Sequence, residues 1–256
     1  MQTFAQLNIT QNNIRLFSVT SFTKQLLPDK FDIVFVDIDD TILTPGKNNL
    51  PHYFCGSLWF HHKAKYLQSI EIGKYFELFN HCTNHTGFVP VSNEMNDYLQ
   101  EQSKLTPILG LTARQVEIID LTVKNLNSIN FTFSDHQHAM AIKGIIFAGS
   151  NITDGAANHK GEIILDVVQR LNQPVKNLVF IDDNIKNILQ VNESLYNMGM
   201  NATLIHLATI SDLLFSSYNF QEVALLGEIQ EEHFIRNQQF LENKDVIGDQ
   251  ICKIEF

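Results

Sequence analysis

The stretch Ile33-Val34-Phe35-Val36-Asp37-Ile38-Asp39-Asp40-Thr41 decides the fold, because four consecutive apolar residues give way abruptly to carboxylates. An apolar run without alternation, broken by charge, is the pattern of a strand buried on both faces of a parallel sheet. Residues 33–37 are expected to form it. Outward along the chain, 107–111 repeats the pattern and ends in Thr112, 145–148 and 178–181 repeat it again, and 202–207 offers a fifth run. The fourth run ends in Asp182 and Asp183. Helical periodicity falls over 114–125, 161–171 and 185–198, between or after these runs. Buried strands alternating with helices of about a dozen residues predict an α/β fold with a right-handed, doubly wound, Rossmann-like parallel sheet. Ligands of such sheets sit outside the carboxyl ends of the strands, so Asp37, Thr112 and Asp182 are expected on one rim.

The interval between Thr41 and Pro107 is roughly 65 residues, too long for a plain crossover. It is rich in aromatics and His, as in PHYFCGSLWFHHKAKYLQ. Residues 42–106 are therefore expected as a small, mostly helical cap inserted after the first strand, with 1–41 and 107–256 forming the core. Residues 221–243 read as one long polar helix.

The chain has 256 residues, 44% hydrophobic and 18% charged, enough apolar surface for one sizeable core with an accessory insert. Eighteen basic against 28 acidic side chains leave a formal charge of -10. No stripe of Lys and Arg is available to neutralise a nucleic-acid backbone, so a nucleic-acid partner is disfavoured. No stretch reaches the roughly 18 apolar residues that a bilayer span requires, and the N-terminus lacks a basic segment followed by an apolar one. A cytoplasmic location is expected on that ground. The three cysteines, Cys55, Cys82 and Cys252, are odd in number and widely spaced, which suits a reducing compartment. No Arg stands six residues after Cys55 or Cys82 to close a thiolate phosphate loop. His61, His62, His81 and His85 lack the paired Cys partners of a structural zinc site. Tyr53, Trp59, Phe60 and Tyr66 read first as the core of the insert, and second as a wall of a substrate entrance.

Two carboxylates at a strand end, Asp37 and Asp39, supply what phosphate-ester hydrolysis needs first: a nucleophile and a proton donor for the leaving group. Their charge calls for a cation, and magnesium prefers oxygen ligands. An ordinary Asp, with a pKa of about 3.9, holds little proton at neutral pH, so the acid role of Asp39 is expected to need burial or the charge of a bound phosphate.

In this order the motifs resemble those of the haloacid dehalogenase (HAD) superfamily. Val34-Phe35-Val36-Asp37-Ile38-Asp39-Asp40-Thr41 resembles its first motif, Ile108-Leu109-Gly110-Leu111-Thr112 its second, Lys160-Gly161-Glu162-Ile163 its third and Val179-Phe180-Ile181-Asp182-Asp183 its fourth. The match spans about residues 31 to 210, strand and helix context included. The resemblance implies a Mg2+-dependent phosphohydrolase working through an aspartyl phosphate. Asp37 would be nucleophile and metal ligand, and Asp39 the acid/base with its main-chain carbonyl on the metal. Thr112 and Lys160 would clamp the phosphate, Asp182 would ligate magnesium, and Asp183 would reach it through water or orient Lys160. Retention of an acid at Asp39 favours phosphoryl chemistry over dehalogenation. Thr112 also suits the cap of a following helix; Lys143 is the rival of Lys160; and Arg114 has two readings, a phosphate ligand or the partner of an acid.

Gly56-Ser57-Leu58-Trp59-Phe60, Leu111-Thr112-Ala113-Arg114 and Gly144-Ile145-Ile146-Phe147 further resemble a poorly characterised HAD-like family of intracellular bacterial pathogens. Some of its members are secreted effectors that dephosphorylate phosphotyrosine in proteins. A phosphotyrosine protein as partner, and secretion into a host cell, are what that likeness implies. A phosphatase or phosphomutase for small metabolites is the enzymatic alternative, and a binding protein that kept the fold without turnover is the non-enzymatic one.

Overall fold

In the computed structural model, the residues described are 7–11, 13–46, 80, 83, 84, 87–133, 140–151, 159–171, 174–210 and 236. Tyr53, Cys55, Trp59, Phe60, His61, His62, Tyr66, His81, Cys82, His85, Cys252 and, apart from Arg236, the helix expected over 221–243 lie outside them. The chain divides into two compact units, one of residues 1–43 and 90–212, the other of residues 44–89 and 213–256.

The described strands are β1 (Leu7–Gln11), β2 (Ile14–Val19), β3 (Ile33–Val36), β4 (Leu43–Pro45), β5 (Phe88–Pro90), β6 (Ile108–Thr112), β7 (Ile145–Phe147), β8 (Asn177–Asp182) and β9 (Asn201–Leu207). The α-helices are α1 (Asn93–Gln102), α2 (Ile119–Ser128), α3 (Lys160–Arg170) and α4 (Ile185–Met198). Seven strands form one sheet in the order β1-β2-β9-β8-β3-β6-β7. Six run parallel, and β1 pairs antiparallel with β2. The doubly wound α/β architecture expected from the sequence is the one observed. In the other unit, Gly46 N–H donates to the Gly87 carbonyl at 2.9 Å.

The interior position of β3, between β8 and β6, follows from its composition. Ile33, Val34, Phe35 and Val36 are all fully buried, as a strand covered on both faces requires. Each such side chain contributes about 1.5–3 kcal/mol through burial. Helices α3 and α4 pack on the same cluster through Ile164, Val167, Ile188, Val191 and Leu195. Gly161 sets how closely they approach, since a Cβ there would collide with the Ser194 side chain and press on the Gln190 carbonyl. Helix α4 ends at Gly199, whose φ of 65° lets its N–H reach the carbonyls of Leu195 and Tyr196.

Two parts of the chain depart from the pattern read in the sequence. The hairpin β1-β2 adds two strands at the sheet edge; β2 is only half-buried, and Asn13 at φ 69° makes its turn. The helix expected over 114–125 starts later, as a 3-10 turn at Val116–Ile118 that runs into α2. Gln115 is extended there, which delays the helix.

Candidate active site

Strand register places the acids. Val36 of β3 lies opposite Ile181 of β8 on one side and Gly110 of β6 on the other. The next residue, Asp37, donates its N–H to the Ile181 carbonyl at 2.9 Å. Neighbouring strands stand about 4.8 Å apart, so Asp37 and Asp182 leave the sheet within reach of one another, with Thr112 ending the strand on the other side. After Asp37 the chain turns sharply: Ile42 and Leu43 both donate to the Ile38 carbonyl, and Asp40 takes a φ of 57°, a left-handed conformation that Asp tolerates. That turn wraps 37–40 around the end of β3.

Lys160, at the first turn of α3, reaches into the centre. Its Nζ stands 2.8 Å from Asp37 Oδ1 and 2.7 Å from Asp182 Oδ2, and the side chain is buried. Lys143, the rival, pairs with Asp120 on the surface at 3.1 Å, both side chains more than half exposed. Asp182 is held further by Asn184 N–H on Oδ1 at 2.8 Å and by Asn187 Nδ2, 3.0 Å from Oδ1 and 3.1 Å from Oδ2. Asn187 was not singled out from the sequence; its place on the first turn of the helix after Asp182 is the signal that would have found it. His206 of β9 donates from Nε2 to the Asp183 carbonyl at 3.0 Å, because a carbonyl can only accept. Its Nδ1 then accepts from Ser18 Oγ at 2.8 Å, and burial pushes the ring below its usual pKa, which favours this neutral form.

Carboxylate oxygens of Asp37, Asp182 and Asp183 lie within 4.8 Å of one another. Burial lifts Asp37 to about 7 against the pull of Lys160, with Asp182 and Asp39 adding to the rise. Asp183 is held well above the usual carboxylate range by burial first, then by Asp182, Asp37 and Asp40. Burial pushes the Lys160 ammonium down, but Asp182 and Asp37 outweigh it and keep it protonated. Three crowded carboxylates with one lysine are short of positive charge, and an all-oxygen donor set suits a hard divalent cation. The residues present therefore fit a divalent metal.

Thr112 is fully buried, and its Oγ1 accepts the Arg114 N–H at 3.1 Å. It caps this turn and not the helix, which begins further on. Arg114 pairs with an acid: Nε donates to Asp39 Oδ2 at 2.9 Å and Nη2 to Asp39 Oδ1 at 2.7 Å, while Nη1 donates to Thr122 Oγ1 at 3.2 Å. The Asp39 side chain is one-third exposed (33%). A pocket of about 340 Å³ beside Asn13, Arg15, Asn177 and Thr203 opens at the amino ends of the strands, with no acid among the described residues that line it. It lies on the rim opposite the carboxylates.

A parallel sheet with an Asp-x-Asp turn after an inner strand, a Thr ending one neighbour, an acidic pair ending the other and a lysine at the intervening helix start is the HAD-like arrangement that the sequence resemblance led one to expect. The chain belongs to the family described as protein of unknown function (DUF2608), whose model matches residues 19–222. No curated protein sequence matches it. Among solved structures it is similar to the HAD domain of the effector protein Lem4 from Legionella pneumophila, at 18% identity over 68% of this chain and 83% of that one, with a TM-score of 0.38. It is also similar to the class C acid phosphatase from Bacillus anthracis, at 14% identity over 80% of each chain and a TM-score of 0.37. A conserved haloacid dehalogenase-like protein of unknown function from Agrobacterium tumefaciens is 12% identical over 73% of this chain and 98% of that one, with a TM-score of 0.39.

Proposed function

We propose that the chain is a magnesium-dependent phosphoric monoester hydrolase that acts through an aspartyl phosphate on Asp37. The observation that carries this reading is the buried Asp37-Lys160-Asp182 bridge at the carboxyl ends of β3 and β8, with the buried Thr112 ending β6 on the other side of β3. Asp37, Asp182 and Asp183 would hold the metal, together with the main-chain carbonyl of Asp39. When bound, magnesium neutralises carboxylate and phosphoryl charge.

The remaining chemistry belongs to the chain. Asp37, ionised, attacks phosphorus; the bond from phosphorus to the leaving oxygen breaks, and that oxygen takes its proton from Asp39. Asp39, now a carboxylate, accepts a proton from water as the water attacks the phosphorus of the aspartyl phosphate. The bond to Asp37 then breaks and inorganic phosphate leaves. Lys160 and the Thr112 hydroxyl bind the phosphoryl oxygens; Thr112 accepts from Arg114 N–H and still has its own proton to donate.

We take residues 42–106 as the insert that chooses the substrate, and phosphotyrosine in proteins as the substrate class. The support is the resemblance of Gly56–Phe60, 111–114 and 144–147 to a HAD-like family some of whose members are effector phosphatases, and the aromatic content of the insert. Among the described residues no helix is long and apolar enough to cross a membrane. The test compares hydrolysis of phosphotyrosine peptides, sugar phosphates and nucleotides with and without magnesium. Magnesium-dependent release of phosphate with peptides preferred supports the whole reading; sugar phosphates preferred by a wide margin removes the protein substrate; no release from any ester removes the enzyme.

A further inference from the structure

We infer that Arg114 is a positioning residue for Asp39, fixing the acid that protonates the leaving group, and is not a ligand of the substrate phosphate. The inference rests on the phosphatase reading and deepens it. Arg114 presents the planar edge of its guanidinium to both oxygens of one carboxylate, 2.9 Å and 2.7 Å away, the two-pronged geometry that Arg makes and Lys cannot. It is the largest fully buried side chain among the described residues, with 1% of its side-chain surface exposed. Its third arm is anchored by Thr122 Oγ1, which itself donates to the Ile118 carbonyl at 3.0 Å.

The asymmetry of exposure sets the role. Arg114 is buried and anchored, whereas Asp39 is one-third open to solvent, so an incoming ester meets the carboxylate and not the guanidinium. A freely rotating Asp side chain has several rotamers, few of which aim an oxygen at the leaving group. The clasp selects one orientation for the carboxylate plane. To carry the leaving group's proton, Asp39 takes it up on one oxygen, which releases its N–H contact, while the other contact keeps the acid in place. Thr112 and Arg114 share a turn, joined by the Arg114 N–H to Thr112 Oγ1 bond, so the phosphate clamp and the acid's anchor are fixed by the same few residues.

Such a device matters most for esters whose leaving oxygen is strongly basic, because those depend on protonation. Tyrosine, with a phenol pKa of about 10, is one of them. Activated aryl esters depend on it little.

The test uses the full chain in magnesium with phenyl phosphate and p-nitrophenyl phosphate. Arg114→Lys keeps the charge and loses the fork. It is expected to lower kcat on phenyl phosphate about tenfold more than on p-nitrophenyl phosphate, with KM nearly unchanged, within the 10²–10⁴-fold that general acid catalysis supplies. Asp39→Asn should show the same preference for the activated ester, and the double variant should be no slower than Asp39→Asn alone. Thr122→Val, which removes the anchor of the buried Arg together with the hydroxyl's bond to the Ile118 carbonyl, should reproduce the effect at smaller size and serves if Arg114→Lys does not fold. An equal rise in KM for both esters with their kcat ratio unchanged, or additive losses in the double variant, would make Arg114 a phosphate ligand and overturn the inference. Absence of turnover by the unmodified protein on either ester would instead overturn the phosphatase reading, before any variant is compared.

Discussion

Exchanging Asp37 for Asn should stabilise the metal-free protein while abolishing turnover. Asp37 has its carboxyl at about 7 in the folded chain against an ordinary value of 3.8, because burial and the neighbouring Asp182 outweigh Lys160. Between these two values the folded protein holds a proton that the unfolded chain has lost. The contribution of Asp37 to stability therefore falls as pH rises from 3.8 to about 7, and is flat above. At about 1.4 kcal/mol for each tenfold change in proton affinity, the full cost above pH 7 is about 4 kcal/mol. Asn has the shape of the protonated acid and does not titrate, so it escapes that cost. Urea unfolding in a chelator should show the gain of Asp37→Asn over the unmodified chain growing by roughly 3 kcal/mol between pH 5 and pH 8. Adding magnesium at pH 8 should raise the stability of the unmodified chain and narrow the gap, as a ligand of the folded state alone does. If Asp37→Asn is no more stable at pH 8 than at pH 5 relative to the unmodified chain, Lys160 satisfies the carboxylate and the reasoning from crowded charge is refuted.

Lys160→Met leaves Asp37 and Asp182 buried without their cation, which should cost about 3–5 kcal/mol in a chelator and remove turnover; thermal unfolding of unchanged midpoint would refute it. Asn187→Ala removes a donor shared by both Asp182 oxygens, so the magnesium concentration for half-maximal activity should rise about 10- to 100-fold with little change in stability. A magnesium titration superimposable on that of the unmodified chain would show that Asn187 does not tune the site.

The strands that build the site were legible because each is an apolar run too short and too uniform to be a helix face, closed by a polar residue. The runs at 33–37, 178–181 and 202–207 differ from β3, β8 and β9 by a residue or so at an end. What the runs could not reveal was pairing across distance. The Arg114–Asp39 clasp joins residues 75 apart, and the two readings of Arg114 could be separated only once β3 and β6 were known to be neighbours. The same holds for His206, whose hydrogen bonds to Ser18 and the Asp183 carbonyl depend on β9 lying between β2 and β8. The hairpin β1-β2 stayed hidden for another reason: LNITQ is polar, and Arg15 interrupts the next apolar run, since an edge strand need not be buried on both faces. Nothing local in the sequence explains Gly161; its reason is the Ser194 side chain on α4, a contact made by tertiary packing.

The most direct test of phosphoryl transfer through Asp37 is chemical trapping. The protein is quenched in acid while it turns over a phosphate ester carrying radioactive phosphorus in magnesium, then digested and the labelled peptide identified. Label on the peptide containing Asp37, released by hydroxylamine as an acyl phosphate is and absent from Asp37→Asn, is the predicted result. Steady turnover by Asp37→Asn at the rate of the unmodified chain, or label on another residue that resists hydroxylamine, would contradict it.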